Sequence, residues 1–217
     1  MDERNGRIRF AEGKIFTMSA DRGRRVYGER LTEADGAEYR EWSPHRSKLS
    51  AYMHSGGKFF PFAGDSTVLY LGAASGTTAS HISDIAVNGK VYCVEFSQRT
   101  FRDLVRTCGT RKNMMPVLAD ASVPGDYKFI ADKVDIVYQD VAQKGQADIF
   151  ADNMECFGAR YGMIAVKAMS EDVTAPADAT FRKACARLKE RGMRMIDMLP
   201  IERYEKAHAM IAVEMIP

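Results

Sequence analysis

Hydrophobic and polar residues alternate with a period of two along the first forty residues of the chain. The alternating runs are short and are separated by glycines, which is typical of antiparallel strands with one buried face. We predict strands at residues 7–10, 14–18 and 25–28. We therefore assign residues 1–50 to a small N-terminal antiparallel β appendage.

From residue 67 onward, short apolar runs alternate with runs that have helical spacing. This order is typical of a mainly parallel sheet with helices on both faces. Only residues 200–207 separate the last two apolar runs, too few for a helical crossover, so the last strand should be antiparallel. We predict an α/β fold for residues 51–217, with the seven-stranded, mostly parallel architecture of the Rossmann-like methyltransferases. The predicted strands are 67–71, 90–95, 114–119, 134–139, 161–168, 193–199 and 208–216, and the predicted helices are 77–87, 97–108, 144–157 and 177–191.

Two helix starts carry local signals. Ser97 is a favourable N-cap, because its hydroxyl can accept a hydrogen bond from a backbone N–H of the first turn. Residues 41–52 should begin another helix, with Pro44 in the first turn, where its missing N–H is tolerated. Lys48 lies in this helix, and by itself it would be an ordinary surface lysine.

The composition narrows the class of protein. With 217 residues, 46% hydrophobic and 28% charged, the chain is long enough to bury a substantial core. Four scattered cysteines have no paired metal-ligand spacing, so we expect reduced thiols and no metal site. No apolar run reaches the length of a membrane span, and the charged N-terminus has no apolar signal core. We therefore expect no membrane role.

The net charge of +2 limits any role in nucleic-acid binding. It is too small to establish such a role, so contacts with RNA must rest on local patches. Arg22, Arg24 and Arg25 form one such cluster. A solvated turn and a contact with RNA or a partner are both open for it.

The segment VLYLGAASGTTASH combines a strand, a glycine turn and a helix start. Glycines let the backbone approach a ligand closely, and a helix N-terminus offers unpaired N–H groups. We therefore expect Gly72, Ala74 and Gly76 to form a cradle for a cofactor, with Thr77 and Thr78 at the start of the helix.

The glycine spacing matches neither the dinucleotide fingerprint nor the phosphate loop of nucleotide triphosphatases. Glu95 ends the next strand, 19 residues after Gly76, where a carboxylate can accept both hydroxyls of a ribose. This combination suits a nucleoside with no phosphate on the turn, and S-adenosyl-L-methionine is the common ligand of that description. An ordinary βα turn with a surface glutamate remains the alternative from these features alone.

Ligands of open α/β sheets bind beyond the carboxyl ends of the strands. Asp120 could accept from an adenine amino group there or cap a helix, and Phe96 could cover the purine face. Asp140 and Lys167 end neighbouring strands and should form a pair. A lysine at the end of a buried strand is a candidate for catalysis, although structural ion pairs also occur. His208 is the first residue of the last predicted strand, and a structural role and a functional role are both open for it.

Several longer motifs occur together. They are YREW at 39–42, RSKL at 46–49, YLG at 70–72, SGTTASH at 75–81, VEFS at 94–97, QDVAQ at 139–143 and AVKAMS at 165–170. Many methyltransferases share the glycine turn, but GTTASH combined with QDVAQ is specific. By these motifs the chain resembles the fibrillarin family of RNA 2′-O-methyltransferases from about residue 7 onward. It lacks the glycine- and arginine-rich N-terminal extension of eukaryotic fibrillarins, so an archaeal source is expected.

The resemblance implies a catalytic set of Lys48, Asp140, Lys167 and His208. A ribose 2′-hydroxyl is a weak nucleophile whose proton must leave, so Lys167 would accept the proton or stabilise the developing oxyanion. Asp140 would position Lys167 and the ribose, and His208 would support that geometry or contact the RNA. The implied contacts with S-adenosyl-L-methionine, beyond the glycine turn, are Thr77, Thr78, Glu95, Phe96, Asp120, Ala121, Asp140, Val141, Ala142 and Gln143.

The resemblance also implies the setting in which the protein works. Base pairing with a guide RNA would select the target, while this chain supplies the chemistry. The implied partners are a Nop-type scaffold protein, a kink-turn-binding ribosomal-type protein, a box C/D guide RNA and the rRNA or tRNA substrate. The implied location is the cytoplasm of an archaeal cell, or the nucleolus if the source is eukaryotic. The alternatives are a non-catalytic subunit of the same particle and a small-molecule methyltransferase, for which no segment is long enough to form a lid.

Overall fold

The N-terminal residues form a four-stranded antiparallel sheet. The computed structural model describes residues 6–216. The strands are β1 (Ile8–Ala11), β2 (Lys14–Met18), β3 (Leu31–Ala34) and β4 (Ala37–Glu41), arranged in the order β1-β2-β4-β3. The antiparallel appendage predicted from the sequence is thus confirmed, while the division into residues 1–50 and 51–217 stays a prediction.

Residues 25–28 do not form the predicted strand. They lie in the loop between β2 and β3, where the Glu29 carboxylate accepts hydrogen bonds from the backbone N–H groups of Val26 and Tyr27. This local pairing satisfies the backbone without a neighbouring strand. The strands that complete the sheet are β3 and β4, joined by a tight turn in which Asp35 and Gly36 have φ of 51° and 76°. An Asp-Gly pair favours such a hairpin turn.

The remaining elements build a seven-stranded sheet with helices on both faces. In chain order they are α1 (Lys48–His54), β5 (Thr67–Leu71), α2 (Thr77–Ile85), β6 (Lys90–Glu95), α3 (Gln98–Cys108), β7 (Met114–Leu118), a 3₁₀ helix (Pro124–Ile130), β8 (Ile136–Gln139), α4 (Gln146–Cys156), β9 (Tyr161–Lys167), α5 (Ala168–Glu171), α6 (Ala177–Glu190), β10 (Met193–Pro200) and β11 (His208–Met215). The strand order is β10-β11-β9-β8-β5-β6-β7.

The predicted architecture of this sheet is confirmed. Strand β11 is antiparallel to both of its neighbours, and the pairs among β5 to β9 are parallel. Each predicted strand and helix from residue 67 onward is present, with ends that differ by no more than two residues. The 3₁₀ helix and α5 were not predicted, because segments this short carry little periodicity.

Helix α1 begins later than the sequence predicts. Pro44 lies in a turn before the helix and not in its first turn. Ser47 is the N-cap, and its Oγ accepts from the Ser50 N–H at 3.3 Å. Ser97 caps α3 as predicted, accepting from the backbone N–H of Thr100. Lys48 is therefore the first helical residue of α1, immediately after a side-chain cap.

The core lies on both faces of the seven-stranded sheet. Leu69 and Leu71 of β5 pack with the buried residues of α4 and α6, whereas Val68 and Tyr70 pack with those of α1, α2 and α3. This alternation follows the period-two geometry of a strand and fixes its register. Within residues 6–216, no helix is long and apolar enough to cross a membrane.

Buried charges join the small sheet to α2. Arg40 of β4 pairs with Asp84 of α2 at 2.7 Å, and the Thr17 hydroxyl donates to the same carboxylate at 2.8 Å. Two further pairs extend the network: Glu29 pairs with Arg40 at 2.6 Å, and Arg111 pairs with Asp84 at 2.7 Å. The network fixes α2, whose first residues follow the glycine turn, against the N-terminal sheet.

Candidate active site

The glycine turn brings the end of β5 against the loop that follows β8. Gly72 has φ of 76°, and a Cβ at this position would clash with the carbonyl oxygen of Asp140. Gly76 has φ of 90° and serves as the N-cap of α2. These positive φ values favour glycine. The turn exposes Ala74 and leaves the N-terminal N–H groups of α2 at the carboxyl edge of the sheet.

Glu95 ties the turn to the end of β6. Its Oε2 accepts from the Ala74 N–H at 2.8 Å, and its Oε1 accepts from the Ser97 N–H at 2.8 Å. Each carboxylate oxygen keeps a further acceptor position for a ribose hydroxyl. Phe96 follows directly and is 67% exposed, so its ring is available to cover a purine. The structure thus brings these two predicted contacts to the same end of the sheet as the turn.

The threonines after the turn connect it to α1. Thr78 is buried, and its Oγ1 donates to the Oγ of Ser47 at 2.9 Å. Ser47 is the N-cap of α1, so this bond links the candidate cofactor turn directly to the helix that begins at Lys48. Thr77 is only partly buried and opens α2.

Asp120 closes the candidate site beyond β7. The Ser122 N–H and hydroxyl donate to Oδ1 of Asp120, and together with the Gln143 side chain they lower the pKa of the Asp120 carboxyl. Ala121 is buried, and its carbonyl accepts from Asn153 at 2.8 Å. Residues 141–143 complete this side, with Val141 buried and Ala142 exposed.

Lys48 and Asp140 form an ion pair across the end of β8. Lys48 Nζ donates to Asp140 Oδ2 at 2.9 Å, and the two side chains are 21% and 22% exposed. The pairing of Asp140 with Lys167 that the sequence suggested is wrong. Although β8 and β9 are neighbours, Asp140 pairs instead with Lys48, the first residue of α1. Among residues 6–216, Lys167 has no ion pair.

His208 lies opposite Lys167 on the neighbouring strand. The two residues are register partners in the β9–β11 pair. His208 is buried, and its Nδ1 donates to the Lys206 carbonyl at 2.7 Å, which leaves Nε2 as the acceptor of the neutral ring. Burial and the nearby charge of Lys48 lower the pKa of His208, against the opposing influence of the Lys206 carbonyl, Glu205 and Asp140. The structure therefore brings the four predicted catalytic residues to one region.

A side chain that the sequence reading did not single out holds Lys167. The buried Gln146 amide accepts from the Lys167 N–H at 2.9 Å and donates to the Lys167 carbonyl at 3.0 Å. Gln139 in turn donates to the Gln146 carbonyl at 2.7 Å, and Glu171 accepts from the Gln146 N–H at 2.7 Å. A glutamine at a helix start resembles a surface residue in sequence, so no local signal marked it.

The strand order, the antiparallel β11 and the glycine turn after β5 define a Rossmann-like methyltransferase fold. The Lys48–Asp140 ion pair lies beside that turn, so the site carries charged side chains that nucleoside binding alone does not require. The chain belongs to the fibrillarin family, whose family model matches residues 7–217.

Known relatives resemble the chain over most of its length. A fibrillarin-like rRNA/tRNA 2′-O-methyltransferase of Methanothermobacter thermautotrophicus is 47% identical over 202 residues, covering 92% of this chain and 90% of the relative. The crystal structure of Aeropyrum pernix fibrillarin with natively bound S-adenosyl-L-methionine has a TM-score of 0.85 and 40% identity, covering 92% of this chain and 88% of that one. A fibrillarin/Nop5p complex has a TM-score of 0.89 and 36% identity, covering 97% and 98%.

Proposed function

We propose that the protein is an S-adenosyl-L-methionine-dependent RNA 2′-O-methyltransferase. The carrying observation is the Lys48–Asp140 pair, which lies against the glycine turn because Gly72 leaves room for the Asp140 carbonyl. Relatives named as rRNA/tRNA 2′-O-methyltransferases support the choice of RNA ribose as the acceptor. The substrate is therefore an rRNA or tRNA nucleotide with a free 2′-hydroxyl.

The residues at the sheet edge fit the cofactor. Gly72 forms a cradle that a Cβ would fill, the Glu95 carboxylate has acceptor capacity for ribose hydroxyls, and Phe96 offers an exposed ring. When bound, S-adenosyl-L-methionine supplies a sulfonium methyl group that is already activated for transfer. The residues that would hold it are Gly72, Ala74, Gly76, Thr77, Thr78, Glu95, Phe96, Asp120, Ala121, Asp140, Val141, Ala142 and Gln143.

The catalytic set prepares the ribose hydroxyl for attack. Bound S-adenosyl-L-methionine would supply the methyl group to the 2′-oxygen, and the hydroxyl proton would pass to Lys167 or to solvent. Lys48 neutralises Asp140 and orients its carboxylate, which positions the ribose. Lys167 has no ion pair among residues 6–216, so its Nζ is free either to stabilise the oxyanion as the ammonium or to accept the proton as the neutral amine. His208 supports Lys167 from the neighbouring strand.

Methyl transfer from labelled S-adenosyl-L-methionine tests this function. We would supply a guide-matched RNA to a particle reconstituted with the wild-type chain, with Lys167→Ala, or with Lys189→Ala as a control on the exposed surface of α6. A second target would carry a 2′-deoxyribose at the methylated position. The proposal expects transfer with wild type and Lys189→Ala, a loss of at least about 100-fold with Lys167→Ala, and none to the deoxy target.

Equal methylation of the deoxy target would disprove the 2′-oxygen as acceptor. No transfer by a wild-type particle that binds the cofactor would favour the non-catalytic alternative. A pH–rate profile separates the two roles of Lys167, because a proton acceptor adds an ionisation that an oxyanion stabiliser does not require.

We also propose a Nop-type scaffold as the protein partner, supported by the relative solved with Nop5p. We further propose that a kink-turn-binding protein and a box C/D guide RNA are partners in the same particle, and that the particle is located in the cytoplasm of an archaeal cell. The net charge of +2 supports a division of labour in which a guide selects the target and this chain carries out the chemistry.

A further inference from the structure

A groove of about 400 Å³ lies on the outer side of the glycine turn. Four arginines line it: Arg24 and Arg25 from the loop between β2 and β3, Arg46 from the turn before α1, and Arg106 from α3. Ser75 of the glycine turn lines the same groove. All four arginines are exposed, so their guanidinium groups are accessible to a ligand.

Two of these arginines, Arg25 and Arg46, have no carboxylate to balance them, whereas the other two are paired. Arg24 lies 3.7 Å from Asp21, and Arg106 pairs with Asp103 at 2.7 Å. Within residues 6–216, neither Arg25 nor Arg46 makes a salt bridge. The groove therefore carries a local excess of two positive charges in a molecule whose net charge is only +2.

Both unbalanced arginines are held by their surroundings. Arg25 Nε donates to the Glu29 carbonyl at 3.0 Å, which leaves its two terminal amino groups for a ligand. The Arg46 guanidinium lies 5.5 Å from the centre of the Tyr27 ring. The Tyr27 hydroxyl is itself anchored, because it lies 2.8 Å from both the Glu41 carbonyl oxygen and His81 Nε2. Anchoring of this kind lowers the entropy lost when a ligand binds.

We propose that this groove binds the phosphodiester backbone of the RNA that carries the target ribose. The planar fork of a guanidinium matches the oxygens of a phosphate, and phosphate contacts position a nucleic acid without reading its sequence. This inference rests on the proposed function and adds to it a site outside the catalytic set.

The position of Arg46 connects the groove to the reaction. Arg46 precedes Lys48 by two residues, so their Cα atoms are at most about 7 Å apart. Ser75 joins the groove to the cofactor turn on the other side. An RNA backbone held here would contact the turn before α1 and the glycine turn, the two segments next to Lys48 and to the candidate cofactor cradle. Arg24 and Arg25 of the sequence cluster gain a role that Arg22, paired with Glu33 at 2.9 Å, does not share.

RNA binding by the full-length chain as a function of salt tests the groove. The variant Arg25→Gln/Arg46→Gln removes the two unbalanced charges. The control Arg22→Gln/Arg194→Gln also removes two exposed arginines, but each of these pairs with a glutamate and neither lines the groove. Fluorescence anisotropy with a labelled single-stranded RNA would give the binding constant from 25 to 150 mM salt, a range of about six-fold.

We expect a less steep dependence of log Kobs on log salt in the groove variant. Each phosphate contact to a single strand contributes about 0.7 to the slope, so two lost contacts remove about 1.4. The control variant should keep the wild-type slope, and titration with S-adenosyl-L-methionine should show unchanged affinity in both variants. In the reconstituted particle the groove variant should raise KM for the target RNA and keep kcat.

The proposal fails if the groove variant keeps the wild-type slope, if the control loses as much, or if the wild-type chain binds no RNA at 25 mM salt. A groove variant that loses only the scaffold protein would assign the groove to a protein partner and also overturn it. Salt-dependent binding requires no methyl transfer, so failure of the groove is distinguishable from failure of the proposed function.

Discussion

A single glycine, Gly72, sets how closely the cofactor turn approaches the loop that carries Asp140. Its φ of 76° is unfavourable for any side chain, and a Cβ there would meet backbone, which cannot move aside like the end of a flexible side chain. Gly192 provides a matched reference, because its φ is 77° and nothing lies within 4 Å of a Cβ at that position.

Gly72→Ala should therefore lower the affinity for S-adenosyl-L-methionine by more than about tenfold, whereas Gly192→Ala should leave it unchanged. Gly192→Ala should cost about 1–3 kcal/mol of unfolding free energy through backbone strain alone, and Gly72→Ala should cost more, because its Cβ also meets the Asp140 backbone. Calorimetric titration and denaturant unfolding measure the two effects separately. Equal cofactor affinity in the two variants would contradict a role for the close approach.

Gln146 acts on the reaction through Lys167, as a positioning residue. Its two hydrogen bonds fix the backbone on both sides of Lys167, at the point where β9 passes into α5. Replacement by methionine keeps the approximate shape and removes both bonds, which leaves two backbone groups without their partner, at about 1–3 kcal/mol each.

We expect Gln146→Met to lower kcat by about 10- to 100-fold, because a small displacement of a catalytic group is costly in rate. The affinity for S-adenosyl-L-methionine and KM for RNA should stay near wild type. Steady-state kinetics of the reconstituted particle, with Gln98→Met on the exposed surface of α3 as control, measures this separation. A change in KM with unchanged kcat would argue against positioning.

At the scale of elements, α2 is held by buried charges as well as by apolar packing. Asp84 faces two cations, Arg40 and Arg111, and all three side chains are essentially inaccessible to water. Removing the central carboxylate leaves the Arg111 guanidinium buried without a counter-charge and leaves Arg40 with the Glu29 carboxylate, which is far more costly than losing a surface pair.

Asp84→Asn should lower the free energy of unfolding by about 3–5 kcal/mol. Asp103→Asn, which breaks the exposed pair with Arg106, should cost less than about 1 kcal/mol. Urea unfolding followed by circular dichroism measures both. If the two variants were equally stable, the network would not be the anchor between α2 and the N-terminal sheet.

At the scale of the whole molecule, stability should depend on pH through a buried histidine. His81 is fully buried, stacks on Trp42 with ring centroids 5.0 Å apart, and contacts Thr17 and Tyr27 through its two ring nitrogens. Burial and the charges of Arg40 and Arg111 lower the pKa of His81 well below its ordinary value of 6.5. The unfolded chain therefore binds a proton that the folded chain does not.

The free energy of unfolding should thus keep its full value above about pH 6.5, where His81 is neutral in both states. Below that pH it should fall, by up to about 1.4 kcal/mol per pH unit for one proton. His208, with its pKa also lowered, adds to the loss in the same direction. Urea titrations between pH 7.5 and 5, chosen to span the ordinary histidine pKa of about 6.5, measure the slope. His81→Gln should flatten it, and exposed His45→Gln should not; equal slopes would refute the assignment.

The sequence by itself determined the seven-stranded sheet, its helices and the residues at its carboxyl edge. Periodicity of two and of 3.6 is a local property of the chain, so β5 to β11 and the four longer helices after the glycine turn could be recognised without knowing their neighbours. Glu95, Asp120 and Asp140 follow from the same reasoning, because parallel strands end at one edge. The motifs that resemble the fibrillarin family added the roles of Lys48 and His208.

Only the tertiary structure decided which side chains meet. Lys48 pairs with Asp140 because α1 begins beside the residue that follows β8, and Gln146 holds Lys167 because α4 begins beside the end of β9. Both are contacts between segments that are distant in sequence. Residues 25–28 have the pattern of a strand, yet Glu29 satisfies their backbone locally and leaves them as a loop. Local patterns record which face of an element is apolar, whereas pairing between elements depends on packing that no single segment contains.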